Sequence, residues 1–406
     1  MKAQLAVELA ARDSYSRLVA YMAARSRDVA AAEDALSDAF LAALETWPRT
    51  GVPDKPEAWL LTAARRRLID GVRHARIQAK AIPDLIAMSE AEELAYSEIA
   101  FPDERLKLLF ICAHPAIDRA ARTPLMLQTV LGLDASRIAA AFVVQPSTMG
   151  QRLTRAKSKI RDARIAFELP EASDLPQRLD AVLEAIYAAY GSGWDDVKGA
   201  DSRRKGLASE AIYLGRLLAK LMPNEPEVHG LLALMLHCEA RHDARRAPDG
   251  TYIPLSEQDV GHWSVATIEE AERCLNRAAQ ARRIGRFQLE AAIQSVHAQR
   301  LLTGRTEWES IVILYAGLVR FAPTIGVRVG QAAAVAEAVD AASGLALLEA
   351  IPAEAVKNYQ PYWALAAHLF KVMQRFEESK AAYGRAIELC GDSAMRDFLG
   401  VQAARM

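Results

Sequence analysis

Punctuation is the feature that most restricts how this chain can fold. Proline and glycine recur at helix-sized intervals along its 406 residues, alanine is abundant between them, and strand-like alternation is rare. Apolar residues instead return every three to four positions, the period of a helix with one buried face. The expectation is an all-α protein, long enough for roughly two or three domains with buried cores. The longest apolar runs, "LLALML" and "IVILYAGLV", fall far short of the roughly 20 residues that span a bilayer. The N-terminus lacks the apolar core of a signal peptide, and no membrane association is expected. Cys112, Cys238, Cys274 and Cys390 are scattered and form no CxxC pair, so they read as reduced thiols of a cytoplasmic protein.

The formal net charge of −1 hides an asymmetry. Residues 1–168 carry 24 Lys/Arg against 21 Asp/Glu, and the remainder carries 26 against 30. A basic front and an acidic rear suit different partners. Four zones follow. Residues 1–77 hold three amphipathic helices. Residues 78–104 form an acidic linker, with seven carboxylates from Asp84 to Glu104 and no base between Lys80 and Arg105. Residues 105–168 form a compact helical unit, and residues 169–406 a long helical region.

The third zone ends in "FVVQPSTMGQRLTRAKSKIRD" (142–162), whose only acid is Asp162. The preceding "LDASRIAAAFVV" reads as a short helix with Asp134 as N-cap and with Ile138 and Phe142 on one face. Pro146 opens the next helix at a position that needs no amide. There Met149, Leu153, Ala156 and Ile160 point to a core, while Thr148, Arg152, Arg155 and Lys159 line an adjacent face. Two short helices joined by a tight turn, the second basic, describe a helix-turn-helix reader. Its arginines would reach guanine edges and its later lysines phosphates. A solvated amphipathic helix is the competing reading, and Gly150 costs helix stability by about 1 kcal/mol relative to Ala.

A second basic helix is "PEAWLLTAARRRLIDGVRHARI", with Leu61, Ala64, Leu68 and Val72 as its apolar stripe. Arg65, Arg66, Arg67, Arg73, His74 and Arg76 supply its charge. Trp47 and Trp59 bracket the turn before it. Aromatic rings beside cations suit unstacked single-stranded bases, and equally each tryptophan can be a core residue. The helix before, "DVAAAEDALSDAFLAALETW", directs Val29, Ala32, Leu36, Phe40, Ala43 and Trp47 to a core. Its other face, with Asp34, Asp38 and Glu45 around Leu41, is either solvated or a protein-docking surface.

Taken together, "AEDALSDAF", "PEAWLLTAARRRLID" and "FVVQPSTMGQRLTRAK" resemble, in that order, the three motifs of the extracytoplasmic-function class of bacterial RNA polymerase sigma factors. The resemblance covers about residues 5–165. It implies a protein that is not an enzyme and needs no cofactor, with core RNA polymerase and promoter DNA as partners. Carried over, Ser147, Thr148, Gln151, Arg152, Arg155 and Lys159 would contact −35 DNA. Trp59, Arg65, Arg66, Arg67, Arg73 and Arg76 would face the −10 element, and Asp34, Asp38 and Leu41 would meet the polymerase. The acidic linker would run through polymerase channels meant for nucleic acid. Three positions depart from the pattern: Ser37 stands where Gln is usual, Arg66 where Asn is usual, and Val143 where the turn Gly is usual.

Most such sigma factors stop near residue 165. Here "WALAAHLFKVMQRFEESKAAYGRAIEL" fits a tetratricopeptide repeat, with Trp363, Ala367, Phe370, Ser379, Tyr383 and Ala386 at its alternating large and small positions. The whole extension resembles the C-terminal domain of a subgroup of these sigma factors, with "GSGWDD" replacing the usual Asn-Glu-Gly. That resemblance implies a regulatory role, in contact with the DNA-binding half or with a cytoplasmic protein or ligand. His229, His237 and His242 near Cys238, and Cys112 near His114, lack zinc-site spacing. Two rivals remain open: a polymerase-independent helix-turn-helix regulator, and a repeat scaffold whose sigma half has degenerated.

Overall fold

The computed structural model describes residues 2–78, 103–142, 144–171, 173–193 and 206–405. Among them the protein is all-α, with no strand beyond an isolated bridge between Arg246 and Tyr252. They fall into two compact units, one holding the described residues to 193 together with 206–214, the other holding 215–405.

The first unit opens with a three-helix group, α1 (Lys2–Ser26), α2 (Val29–Thr50) and α3 (Pro56–Gln78). The Asp28 carboxylate caps α2 by accepting from the Ala31 N–H at 3.1 Å. Gly51, at φ +89°, ends the helix by donating to the Trp47 carbonyl, in a conformation that disfavours side chains. The α2 stripe Val29, Ala32, Leu36, Ala43 and Trp47 is buried, as are Leu18 and Met22 of α1 and Leu60 and Ala64 of α3, the two helices on which α2 packs. Trp59 meets Trp47 edge-on with ring centroids 5.5 Å apart. Glu57 in the first turn of α3 accepts from Arg17 at 2.8 Å and from Ser14.

Helices α4 (Arg105–Cys112), α5 (Arg119–Thr129), α6 (Ala135–Ala141) and α7 (Pro146–Asp162) form a second group in the same unit. Asp134 caps α6 by accepting from the amides of Ser136 and Arg137, both at 3.0 Å. Met149, Leu153, Ala156 and Ile160 bury the inner face of α7. Phe142 departs from expectation. It lies just past the end of α6 and is 37% exposed, so Ile138 alone of that pair enters the core. Helix α8 (Leu175–Gly193) packs on α4 and α5, and its Arg178 donates to the Phe110 carbonyl at 3.3 Å.

Helix α9 (Leu207–Leu221) begins in the first unit and continues in the second. The second unit then runs through α10 (Pro226–Glu239), α11 (Val265–Gln280), α12 (Arg286–Ala298), the single turn α13 (Arg300–Thr303), α14 (Trp308–Phe321), α15 (Ile325–Ala338), α16 (Ala341–Glu349), the short α17 (Ala353–Val356), α18 (Gln360–Val372), α19 (Phe376–Leu389) and α20 (Ser393–Ala404). Contacts are mainly between neighbours along the chain, as in stacked helical arrays. Small residues set the spacing. A side chain at Gly230 would place Cβ 2.7 Å from the Gln288 amide nitrogen, so α10 and α12 approach as closely as backbones allow. In the α18–α19 hairpin Ala367, Ser379, Tyr383 and Ala386 are buried together, and Ser379 donates to the Ala367 carbonyl at 2.8 Å.

Candidate nucleic-acid interface

Helix α7 divides its basic residues between two flanks of one buried stripe. Ser147, Thr148, Gln151, Arg155 and Lys159 are exposed and Arg152 is half-exposed. Together with Asp118 and Ala121 of the neighbouring helix start, Thr148, Gln151, Arg152, Arg155 and Lys159 line one open groove. Among the described residues Arg152, Arg155 and Lys159 have no acidic partner. This is a row of positive charge running from the second turn to the last turn of the helix, geometry that matches phosphate and base-edge contacts. On the opposite flank Lys157 pairs with Glu33 of α2, and Arg161 Nη1 lies 3.7 Å from Asp28 Oδ2. Sequence reasoning missed these partners, because nothing local to "RAKSKIRD" marks which lysine turns inward.

The second basic helix, α3, is arranged differently. Arg66 and Arg67 are exposed, with Arg67 Nε 4.0 Å from Asp38 Oδ2, and Arg65 is half-buried with a partner of its own. Arg73 and Arg76 lie on α3, but their side chains fall outside the described residues. The two tryptophans separate. Trp47 is 1% exposed and belongs to the core, whereas Trp59 at the start of α3 is half-buried and keeps some accessible surface. On α2, Asp34 and Asp38 are exposed and Leu41 is 60% exposed, so an acidic face with a leucine at its centre is open. Ser37 is on the same helix and donates to the Glu33 carbonyl at 2.8 Å. Val143 and residues 79–102 of the acidic linker lie outside the described residues, as does the "WDD" of "GSGWDD".

A buried charge cluster joins the end of that linker to α9. Arg105 donates to Asp103 and to Glu210, and its guanidinium lies 5.2 Å from the Tyr213 ring centroid. Burial opposes the Arg105 charge, and the two carboxylates more than compensate, holding the guanidinium above its usual range. Burial also raises the Asp103 pKa, but the Arg105 hydrogen bonds outweigh it and keep that carboxyl below its usual range. His229 Nε2 sits 2.9 Å from the Pro223 carbonyl, His237 lies 3.3 Å from Glu272, and burial pushes the Cys112 thiol up to about 12 beside Thr129. Among the described residues no three metal-ligating side chains converge. Nor is any helix there long and apolar enough to cross a membrane.

Comparison with known proteins finds two family matches in the chain. Residues 11–77 match the family described as sigma-70 region 2, and residues 178–279 match a family of unknown function, DUF6596. A protein named probable ECF RNA polymerase sigma factor SigI, from Mycobacterium tuberculosis (strain ATCC 25618 / H37Rv), is 26% identical over 170 residues, 41% of this chain and 56% of the relative. ECF RNA polymerase sigma factor SigC of M. tuberculosis (strain CDC 1551 / Oshkosh) is 27% identical over 159 residues, 38% of this chain and 77% of the relative. The N-terminal part is thus related to sigma factors of the extracytoplasmic-function type. Over nearly its whole length the chain is similar to uncharacterized protein R00370 of Rhizobium meliloti (strain 1021), 36% identical over 383 residues, 93% of this chain and 90% of the relative. The chain belongs to the same family as that protein. No solved structure matches it.

Proposed function

We propose that this protein is an alternative sigma factor. It binds core RNA polymerase through the Asp34, Asp38 and Leu41 face of α2 and directs initiation at promoters whose −35 element is read by α7 and whose −10 element is read by α3. The observation that supports this reading is the basic row of α7, Arg152, Arg155 and Lys159, which has no acidic partner among the described residues, in a chain that also matches sigma-70 region 2. In this reading Ser147, Thr148, Gln151, Arg152, Arg155 and Lys159 contact −35 DNA. Trp59 with Arg65, Arg66, Arg67, Arg73 and Arg76 serves the −10 element. The boundaries are a region 2-like domain at 1–77, an acidic linker at 78–104, a region 4-like domain at 105–168 and a tetratricopeptide-like regulatory domain at 169–406. The protein works in the cytoplasm without a catalytic centre, and the regulatory domain answers to a protein or ligand there.

Promoter capture with and without core polymerase tests this. Purified full-length protein is expected to retain specific promoter fragments only when core is present, and Asp38→Lys is expected to abolish co-purification with core while leaving the circular dichroism unchanged. Tight specific duplex binding without core would replace this reading with a polymerase-independent regulator.

A further inference from the structure

Two arginines of the second unit carry charge that no carboxylate among the described residues balances. Arg241, just past the end of α10, is 7% exposed. Its Nη2 donates to the Gln294 amide oxygen at 2.5 Å and to the Cys238 sulfur at 3.8 Å, both neutral acceptors. Its Nε and Nη1 have no acceptor among the described residues. Gln294 and His297 lie three residues apart on α12 and share a face, and Arg300 follows on α13. Arg300 is held by backbone carbonyls and sits 4.9 Å from the Trp263 ring centroid, again without a carboxylate among the described residues. There the buried Trp263 indole N–H also has no acceptor among them.

These groups act on one another as a single positive cluster. Burial, then Arg241 and Arg300, takes the His297 imidazole down to about 4. Burial and Arg241 together hold Arg300 below its usual range. An arginine that meets a carboxylate does the opposite, as Arg216 does beside Glu270, which holds it above its usual range. Neighbouring carboxylates of the unit are engaged elsewhere: Glu290 with Arg286, Asp392 with Arg246, and Glu272 with His237 and Ser295. A buried charge without a partner is costly, and a guanidinium relieves that cost most fully by donating to an oxyanion. Two guanidinium charges also favour a dianion over a monoanion, because the Coulomb energy scales with the charge. Gln294, His297 and Arg300 are only half-buried, so the cluster is open to solvent along this edge.

We propose that Arg241, His297 and Arg300 form a binding site for a phosphate-class dianion, either inorganic phosphate or the phosphate group of a small phosphomonoester. Arg241 donates to the anion, with Gln294 fixing the plane of its guanidinium. Arg300 contributes charge while its carbonyl contacts hold it in place, and His297, neutral at pH 7, donates its one N–H. This names a ligand for the regulatory domain proposed above. Binding itself does not require the sigma-factor reading, so either can fail alone.

The test is isothermal titration calorimetry on the full chain at pH 7, with inorganic phosphate, glycerol 3-phosphate and acetate at constant ionic strength. Phosphate or the monoester is expected to bind saturably, and roughly tenfold or more tighter than acetate. Tighter binding of glycerol 3-phosphate makes the ligand a phosphorylated small molecule, and tighter binding of phosphate makes it the free ion. Arg241→Met should weaken binding by roughly tenfold or more, because charged hydrogen bonds to the anion are lost. The same variant should melt no lower than wild type in chloride buffer, since it also removes an unpaired buried charge. His297→Gln should weaken binding by a smaller factor. Arg216→Gln, which alters an arginine already paired with Glu270, should leave binding unchanged. If Arg241→Met fails to fold, Arg241→Lys decides by the same loss, because it keeps the charge and removes the guanidinium donors. No saturable binding of phosphate or the monoester, acetate bound as tightly, or binding unchanged in the Arg241 variants overturns the site.

Discussion

The two compact units use charge in opposite ways. In the first, Arg152, Arg155 and Lys159 have no acidic partner among the described residues, while the paired cations Lys157, Arg161 and Arg105 reach across to other helices of that unit. In the second, the notable cations are absorbed into its own loops. Arg300 donates to the carbonyls of Leu255, Ser256 and Gln258, at 2.8, 3.1 and 2.7 Å, and stacks near Trp263. Arg246 pairs with Asp392, and Glu227 caps α12 by accepting from the Phe287 amide at 2.9 Å. The long segment between α10 and α11, built of short 3-10 turns, is held by the Arg300 and Arg246 contacts together with buried Ala244 and Trp263. Charge presented outward marks a surface built for a charged partner, and charge satisfied internally marks architecture.

This contrast can be broken at several points. Leu153→Ala should have the largest effect, removing about 2–5 kcal/mol from the first unit by leaving a cavity under α7, with the melting of the second unit unchanged. Differential scanning calorimetry would resolve the two. Acid should act on the second unit. Burial, aided by Arg241 and Arg300, depresses the His297 pKa to about 4. Between pH 6.5 and 4 the unfolded chain therefore binds the extra proton. Stability is full above the unfolded value and falls as pH drops through that window, by up to about 3 kcal/mol. His297→Gln should flatten that slope, as denaturant titrations at pH 7 and pH 4.5 would reveal. Arg152→Ala or Arg155→Ala should weaken promoter use by about 1–3 kcal/mol without altering melting, because neither side chain has an acidic partner to lose among the described residues. The smallest change expected is a gain. Gly150→Ala meets open space on α7 and should stabilise the first unit by up to about 1 kcal/mol.

Much of this was legible in sequence wherever a single period decided it. Met149, Leu153, Ala156 and Ile160 repeat at helical spacing and are all buried, and the Asp134 cap and the small-large alternation of α18 and α19 follow from equally local chemistry. Tertiary partners were not legible. Trp47 and Trp59 look equivalent in sequence, yet one sits wholly in the core and the other at its edge. Phe142 has the spacing of a core residue but falls past the end of its helix. Lys157 and Lys159 are two residues apart and face opposite fates, because only the fold decides which of them meets Glu33.

Run-off transcription from a genomic fragment library tests the central claim most directly. Full-length protein added to core polymerase is predicted to yield discrete transcripts that disappear with the Arg152→Ala, Arg155→Ala double variant. Core binding without any specific transcript, or transcripts indifferent to that double variant, would contradict the account.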